Sequence, residues 1–539
     1  MSLHKIIPAF LVFFLTVAAC TNDLGNYDYE DKAVVNIDVT PSLTVLANAE
    51  YIDVNPVITS SLEGVIDADN PNFEYSFRYK NSDGDWVELD TLHTQSVHVL
   101  AKMPIGNYPC WYSATDRRTG VRYSAVVNVS VVVSTSEGWM LLCSNPDDEE
   151  VRLDMLAQIS MDRIMPVYDI DLYTQISPLH HPTQIATYYN RRGTVGDKII
   201  LMSQDESYLL DNTYLTINSA YGLKSSLFVT APADHLVRFA GVPMNDKLTN
   251  QALICVSSEG NAFVWNPYDV GGGSFEDAAN TSVRGNDPEY RVAPWIGVST
   301  MRGSGLLGYG VALLYDTDNH RFIGWDGSRE TSEYQTMTPL VNPVDPLFSF
   351  QTGTMDLVAM ANTGFSNGTT YCIMQDGEKR HIYAVSVTDN AFTQQGCWLD
   401  VKTPDFRQAT CFCAHSQYQT IYYAAGNKVY AYNPASNYCS PCVTLDANEE
   451  VTCIKFCTYE NPDISLLISS LTDEQAAEFI ARQYDLVVAS YDKTAADGNG
   501  GHLRFYKSTS PGTSMTLKPG WDYSGFGRIV DVTYKEVRK

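Results

Sequence analysis

One cysteine near the start of the chain stands in a setting that implies a definite reaction. Cys20 directly follows Val17-Ala18-Ala19, and the run from Ile6 to Val17 is mostly apolar. Small residues after an apolar run too short to span a bilayer indicate a cleaved signal peptide. A cysteine directly after such a cut is where lipid is attached, to the sulfur and to the freed amine. The sequence therefore predicts a lipoprotein signal peptide over residues 1–19 and stable anchoring to a membrane through acyl chains on Cys20.

The other 11 of the 12 cysteines offer less definite chemistry. The chain concentrates six of them towards its C-terminus: Cys411, Cys413, Cys439, Cys442, Cys453 and Cys457. A structural zinc needs four such ligands in a tetrahedral arrangement, and a redox Cys-x-x-Cys normally opens a helix. We expect Cys439-Ser-Pro-Cys442 to straddle a turn and the cluster to pack in a core, with a local disulfide left open. We predict no metal and no cofactor.

Histidines and carboxylates give no assignable catalytic group. His180-His181 could ligate a metal, but adjacent residues of an extended strand point to opposite faces, so a loop role is favoured. Carboxylates are abundant, as in Asp147 to Glu150, and a glycosidase pair is defined by the distance between two carboxyl groups across a cleft. The sequence does not give that distance, and we predict no catalytic residue.

Aromatic residues are the remaining candidates, because sugars present flat C–H faces that stack on Trp and Tyr. Trp295 and Trp521 lie in irregular, loop-like sequence and are our candidate ligand-binding residues. Four other aromatic residues end repeated strand patterns, and we expect them to pack between strands: Trp265, Trp325, Tyr432 and Tyr506.

Composition narrows the possible partners. The chain has 36 Lys+Arg against 63 Asp+Glu, for a net charge of −27, and no basic run. We expect no nucleic acid, since such binding needs clustered cations. A length of 539 residues suits two or three domains, and a hydrophobic content of 44% indicates packed cores rather than disorder.

The elements that must position these residues are nearly all strands. Residues 20–32 read as an acidic tether. From 33 to 136 apolar and polar residues alternate in about seven short runs, as in Phe73-Glu-Tyr75-Ser-Phe77, which predicts an antiparallel β-sandwich of the immunoglobulin type. The segment Asn81 to Trp86 carries an Asp-Gly hairpin turn; a partial calcium loop is the less favoured interpretation.

An internal repeat indicates the fold of the second half of the chain, residues 137–539. Strand and turn patterns recur about seven times, as in Phe263-Val-Trp265-Asn-Pro267 and Val429-Tyr-Ala-Tyr432-Asn-Pro434. Repeats of this kind built from strands are typical of a β-propeller, here of about seven blades. The strand at Gly138 to Leu142 could complete the last blade. The single convincing helix, about 471–483, has a capping box at Thr472 and Gln475 and is predicted to be an insertion.

The lipid-attachment sequence, the leader Asp23-Leu-Gly-Asn-Tyr-Asp-Tyr29 and the late strand Ala114-Thr-Asp116-Arg-Arg-Thr-Gly120 occur together here. In this combination the chain resembles the PKD-like lipoproteins of Bacteroidetes, and Gly138-Trp-Met-Leu-Leu142 is similar to the segment that starts their propeller. The resemblance implies a PKD-like, Ig-like domain followed by a propeller. It also implies association with SusC/SusD-type outer-membrane uptake systems, and so capture of nutrients, usually glycans.

We therefore expect a non-catalytic accessory protein anchored to the outer membrane at the cell surface. It would capture or present an extracellular glycan, with a transporter complex as a possible partner. Two alternatives stay open: a propeller hydrolase or lyase acting on polysaccharide, which needs clustered acid or base groups at the channel mouth, and a protein-binding scaffold, which predicts an exposed apolar patch.

Overall fold

The computed structural model describes residues 33–92, 94–147, 149–173, 176–188, 198–243, 251–265, 274–281, 287–298, 311–326, 337–388, 391–459, 471–508 and 515–537. The predicted signal peptide, Cys20 and the tether lie outside these residues. The chain divides into two compact units, Met1–Val131 and Val132–Lys539. Within the described ranges, no helix has the length and apolar character needed to cross a membrane.

The first unit is an antiparallel sandwich. Its strands are β1 Val35–Asp38, β2 Ser42–Leu46, β3 Tyr51–Val54, β4 Val57–Ser60, β5 Gly64–Val65, β6 Phe73–Lys80, β7 Trp86–Leu92, β8 Val97–Leu100, β9 Gly106–Asp116 and β10 Arg122–Val132. They form sheets in the orders β1-β4-β5, β2-β10-β9-β6-β7 and β3-β8. Along β6, Phe73, Tyr75, Phe77 and Tyr79 are buried in one apolar core, while the residues between them are more exposed. This alternation is what a strand with one face on a core requires.

The hairpin between β6 and β7 uses turn chemistry, as predicted. The side-chain oxygen of Asn81 accepts hydrogen bonds from the backbone N–H groups of Asp83 and Asp85, at 3.0 and 2.8 Å. Gly84 has φ +85°, a conformation that favours glycine. The carboxylates of this segment therefore flank a turn closed by its own asparagine.

The described residues of the second unit form seven successive sheets. The first contains β11 Gly138–Ser144, β12 Val151–Ser160, β13 Arg163–Val167 and the last strand of the chain, β37 Arg528–Lys535. The second contains β14 Pro182–Tyr188, β15 Lys198–Ser203, β16 Ser207–Leu210 and β17 Ile217–Gly222; the third, β18 Leu236–Pro243, β19 Gln251–Ser257 and β20 Ala262–Trp265. The fourth contains β21 Gly297–Val298, β22 Val311–Asp316, β23 Arg321–Asp326 and β24 Thr338–Pro339.

The fifth sheet contains β25 Asp356–Thr363, β26 Thr369–Asp376, β27 Lys379–Thr388 and β28 Ala391–Trp398. The sixth contains β29 Cys411–Ala414, β30 Ile421–Ala425, β31 Lys428–Asn433 and β32 Tyr438–Thr444; the seventh, β33 Glu449–Phe456, β34 Leu486–Asp492, β35 Gly501–Lys507 and β36 Thr516–Phe526. Short helices lie at Leu223–Leu227, Phe365–Asn367, Phe406–Gln408 and Arg482–Tyr484.

A separate apolar cluster fills each space between neighbouring sheets. In β11, Met140 and Leu142 pack towards the second sheet, whereas Trp139 and Leu141 pack towards the seventh. Burial on both faces explains why strands of this unit are apolar at consecutive positions, and a neighbouring sheet covers each face. The all-β prediction of an Ig-like sandwich followed by a β-propeller is confirmed.

The succession of sheets returns to its start. Strand β37 pairs with β11 along its length, so the end of the chain completes the first sheet. The innermost strands contact one another in order, β37, β14, β18, β21, β25, β29 and β33, and β33 contacts β37 again.

Gly138 opens β11 at φ +139°, and a Cβ there would lie 2.2 Å from the Leu156 carbonyl oxygen, so this close approach needs glycine.

The helix expected near residues 471–483 runs from Asp473 to Ala481 and lies between β33 and β34. The Thr472 hydroxyl accepts from the Gln475 backbone N–H, and the Gln475 side chain accepts from the Thr472 backbone N–H. Both halves of the capping box are therefore present.

Two local predictions were wrong. Cys439 and Cys442 do not straddle a turn, because both lie within β32, an edge strand of the sixth sheet. An edge strand tolerates Pro441 between them, since a missing N–H there breaks no ladder in the sheet interior. Trp521 does not lie in a loop but within β36, the edge strand of the seventh sheet.

Candidate functional site

An ion pair joins the innermost strands of the seventh and first sheets. The Lys455 ammonium of β33 donates to the Asp531 carboxylate of β37 at 2.9 Å. The same carboxylate accepts the backbone N–H groups of Ile185 on β14 at 3.2 Å and of Val532 at 2.9 Å. Burial lowers the pKa of Lys455, but the Asp531 carboxylate and the neighbouring Cys453 and Cys457 together oppose it, and the net effect is a raised pKa. Asp531 is thus a fully satisfied anion shared by three inner strands.

A cation stacked on an aromatic ring lies at the inner edge of the third and fourth sheets. Arg238 of β18 places its guanidinium 4.7 Å from the centre of the Trp295 ring. Its Nε donates to the Pro294 carbonyl oxygen at 3.1 Å. Burial lowers the pKa of Arg238, and the Asp531 carboxylate opposes that shift.

Trp295 itself lies outside the strands, two residues before β21 begins at Gly297. The ring is half-buried and packs against two apolar clusters, one between the fourth and fifth sheets and one between the fifth and sixth. It therefore lies where the inner edges of several sheets meet. Its contact with a ligand stays a prediction.

Trp521 belongs to a different apolar cluster, between the seventh and first sheets. Its ring meets Trp139 edge-on at 5.7 Å and Phe505 at 4.9 Å, while Lys518 and Arg482 lie 4.2 and 5.0 Å from the ring centre. These contacts pack β36 against the apolar cluster between the seventh and first sheets. The structure does not bring Trp521 and Trp295 into one cluster, and a ligand role for Trp521 stays a prediction.

A polar pocket of about 460 Å³ lies where loops of the first, second and seventh sheets meet. Its walls are Asn145, Glu150, Val151, Arg152, Asp169, Ile170, Asp171, Leu172, Tyr173, Asp497, Gly498 and Gly527. The Tyr173 hydroxyl donates to the Val151 carbonyl oxygen at 2.6 Å, and burial raises the pKa of Tyr173 to about 12. The Asn499 backbone N–H lowers the pKa of Asp497, which therefore stays ionised. The pocket offers several acceptors to a ligand that carries hydroxyl groups.

One buried carboxylate positions the walls of this pocket. Asp154 is fully buried and accepts Arg152 Nε at 2.8 Å, the Asp169 N–H at 2.7 Å and the Gly527 N–H at 2.9 Å. Arg152 also donates to the Asn499 side chain at 2.7 Å. Asp154 thus holds the loops at Asp169 and Gly527 directly, and the loop at Asn499 through Arg152. Sequence reasoning missed the pocket, because a charged residue inside an apolar strand was the only local signal.

The two histidines form separate contacts. His180 Nδ1 lies 2.9 Å from the Asp205 carboxylate, and His181 Nδ1 contacts Glu149. Both lie in or next to loops, as expected, and they face different carboxylates.

The described cysteines are free thiols. In the predicted C-terminal group, burial raises the pKa of Cys442 and of Cys457 to about 12, so these thiols stay protonated. The ranges that the structure describes contain no group of three or more His, Cys, Asp or Glu able to hold a metal. The four aromatic residues of the repeated strands are buried, as predicted: Trp265, Trp325, Tyr432 and Tyr506.

Comparison with known families agrees with the N-terminal architecture. Residues 20–178 match the PKD-like family. The match begins at Cys20, includes the whole sandwich and extends past β13 of the propeller. No curated protein matches the chain significantly.

Among solved structures, the chain is similar to a quinonprotein alcohol dehydrogenase-like protein from Bacteroides thetaiotaomicron, with 11% identity, 93% of this chain and 94% of that chain covered, and a TM-score of 0.37. A protein from Lactobacillus plantarum has 11% identity over 74% of this chain and all (100%) of that chain, with a TM-score of 0.43. Apo AztD from Citrobacter koseri has 11% identity over 87% of this chain and 99% of that one, with a TM-score of 0.33. At this identity the similarity concerns the fold alone.

Proposed function

We propose that this protein is a lipid-anchored accessory protein of the outer membrane that captures an extracellular glycan without transforming it. The glycan would pass to a SusC/SusD-type transporter in the same membrane. The Cys20 signal supports the anchor, and the match to the PKD-like family is in keeping with the resemblance that suggested the uptake system.

The observation that carries glycan capture is the polar pocket between the first, second and seventh sheets. Its volume of about 460 Å³ falls in the range of small-molecule sites and suits one or two sugar rings. Its carboxylates accept hydrogen bonds from hydroxyl groups, and its one arginine, Arg152, is already held by Asp154 and Asn499. An arginine held in this way presents a fixed orientation to a bound ligand.

Affinity electrophoresis of the chain that starts after Cys20 tests this proposal. We expect one class among plant, host and microbial polysaccharides to retard the protein, and Asp171→Ala to reduce the retardation at least five-fold. Asp162→Ala is the matched control, because Asp162 is exposed in the β12–β13 turn and lies outside the pocket walls. Migration unaffected by every polysaccharide would overturn glycan capture, and release of sugar products would overturn the non-catalytic role.

One observation favours a second candidate, a protein-binding scaffold. Val341, Val344 and Leu347, on the connection from β24 to β25, are 86%, 93% and 57% exposed. Apolar side chains this close together on a surface often mark a protein interface. Co-purification of outer-membrane proteins with the wild type, and its loss in the variant Val341→Ser/Val344→Ser, would support the scaffold.

A further inference from the structure

We propose that Arg238 and Trp295 form a second site in the propeller, which binds the carboxylate group of a small organic acid such as a sugar acid. The site shares no wall with the polar pocket, and it does not depend on the glycan proposal. The cation of Arg238 has a fixed geometry and, within the described ranges, no ion-pair partner.

The guanidinium of Arg238 is held in place by two contacts. Trp295 covers one of its faces at 4.7 Å, and the Pro294 carbonyl oxygen accepts Nε at 3.1 Å. A stacked guanidinium keeps its N–H groups pointing outwards in its own plane. With Nε engaged, the two terminal nitrogens remain as a fork of parallel donors, which is the geometry that a carboxylate accepts.

The part of the chain that the structure describes supplies no partner for that fork. Among the described residues, Arg238 has no ion pair, and its terminal nitrogens make no hydrogen bond. They are not among the sealed polar atoms that lack partners, so solvent can reach them. A half-buried cation in this state carries a desolvation penalty that an anionic ligand would offset.

The nearest opposite charge is already engaged elsewhere. Asp531 is the charged group that acts on Arg238, but its oxygens accept Lys455 Nζ, the Ile185 N–H and the Val532 N–H. Its charge is therefore balanced by Lys455. Of the described charged groups Lys455, Asp531 and Arg238, only Arg238 is left without an ion-pair partner.

The charge of the site also selects the ligand. One unpaired cation, with the Asp531 carboxylate nearby, balances a monoanion and disfavours a dianion such as phosphate. A carboxylate is planar, carries one charge and fits the fork through both oxygens. Sugar acids combine this group with hydroxyls and a C–H face able to contact the rim of Trp295.

Isothermal titration of the chain that starts after Cys20 tests this site with sodium glucuronate, glucose and inorganic phosphate. Comparing the three affinities distinguishes recognition of the carboxylate from recognition of the sugar ring and from general attraction of anions. We expect saturable binding of one glucuronate, and binding of glucose and phosphate at least ten-fold weaker. Absence of glucuronate binding, or equal affinity for phosphate, would overturn the proposal.

Two variants test whether Arg238 is the residue that binds the carboxylate. Arg238→Lys keeps the charge but loses the fork, so we expect glucuronate affinity to fall at least ten-fold while thermal unfolding stays near that of the wild type. Arg291→Gln is the control for a lost cation, because Arg291 is exposed and paired with Asp318 at 2.7 Å; its affinity should equal that of the wild type. Unchanged affinity in Arg238→Lys, or an equal loss in both variants, would contradict a bidentate role for Arg238.

Discussion

The Lys455 ammonium lies 2.9 Å from the Asp531 carboxylate and links the innermost strand of the seventh sheet to that of the first. The two residues are far apart in the chain, and the return of the last strand to the first sheet brings them together. Asp531 also accepts the Ile185 N–H, so its side chain serves three strands where the succession of sheets closes.

This arrangement predicts that the two partners are not equivalent. Asp531→Ala removes the acceptor of Lys455 and of two backbone N–H groups, whereas Lys455→Met leaves Asp531 with both backbone donors. Because Lys455 is 36% exposed, solvent screens part of the effect. We expect losses in unfolding free energy of about 2–3 kcal/mol and about 1 kcal/mol, respectively. Urea unfolding measures both.

The double variant Asp531→Ala/Lys455→Met supplies the control. Removing both charges leaves no unpaired ammonium, so we expect it to be more stable than Asp531→Ala alone. A double variant whose loss equals the sum of the single losses would show that the two groups do not interact.

A second prediction concerns pH. Glu137 is buried and accepts the Tyr534 hydroxyl at 3.0 Å, and burial raises its pKa from 4.5 to about 8. The unfolded chain loses this proton near pH 4.5 and the folded chain near pH 8, so the folded state binds more protons between these values. Stability should therefore fall as pH rises from about 5 to 8, by about 1.4 kcal/mol for each unit of pKa difference.

The isosteric variant Glu137→Gln isolates this effect, because it keeps a buried acceptor that does not titrate. We expect the difference in urea midpoint between variant and wild type to increase from pH 5 to pH 8. Lys535 acts in the opposite direction at higher pH, since burial lowers its pKa from 10.5 to about 8, and stability lost by Glu137 is partly regained above pH 8. A pH-independent difference between Glu137→Gln and the wild type would contradict the raised pKa.

Alternation in the sandwich and repeated strand patterns in the propeller predict the fold, because they record which side chains face a core. The helix at Asp473 was predictable for a similar reason, since Thr472 and Gln475 satisfy each other locally. The segment Lys518-Pro-Gly520 resembles a turn in sequence, yet β36 runs through it as an edge strand with Gly520 at φ +77°. Edge strands accept proline and kinks that would disrupt a central strand.

The candidate sites were less predictable. Trp295 was chosen for its irregular surroundings, but its partner Arg238 lies on another sheet, in an ordinary strand pattern. The polar pocket depends on Asp154, Asp169 and Gly527: the β12–β13 hairpin brings the first two together, and the pairing of β37 with β11 adds Gly527. Contacts made by closure of the propeller leave no periodic signal in the sequence.

A third prediction addresses the anchor. Cys20→Ala removes the sulfur to which we propose that lipid is attached, so the chain should leave the membrane fraction and enter the aqueous phase on detergent partition. Cys397→Ala is the control, because Cys397 is a half-buried free thiol of the propeller. Membrane partition of Cys20→Ala equal to that of the wild type would contradict lipid anchoring through Cys20.

The last prediction tests whether ligand binding depends on the shape of the pocket or on the overall stability of the protein. Asp154→Asn weakens the contacts to Arg152, Asp169 and Gly527, so the unfolding free energy should fall by about 3 kcal/mol and pocket binding should be lost. Asp316→Asn is a matched control, since Asp316 is also fully buried and accepts Arg321 Nε at 2.7 Å in the fourth sheet. It should lose similar stability and keep the wild-type retardation by the bound polysaccharide. Equal loss of retardation in both variants would mean that binding follows overall stability and not the walls that Asp154 holds.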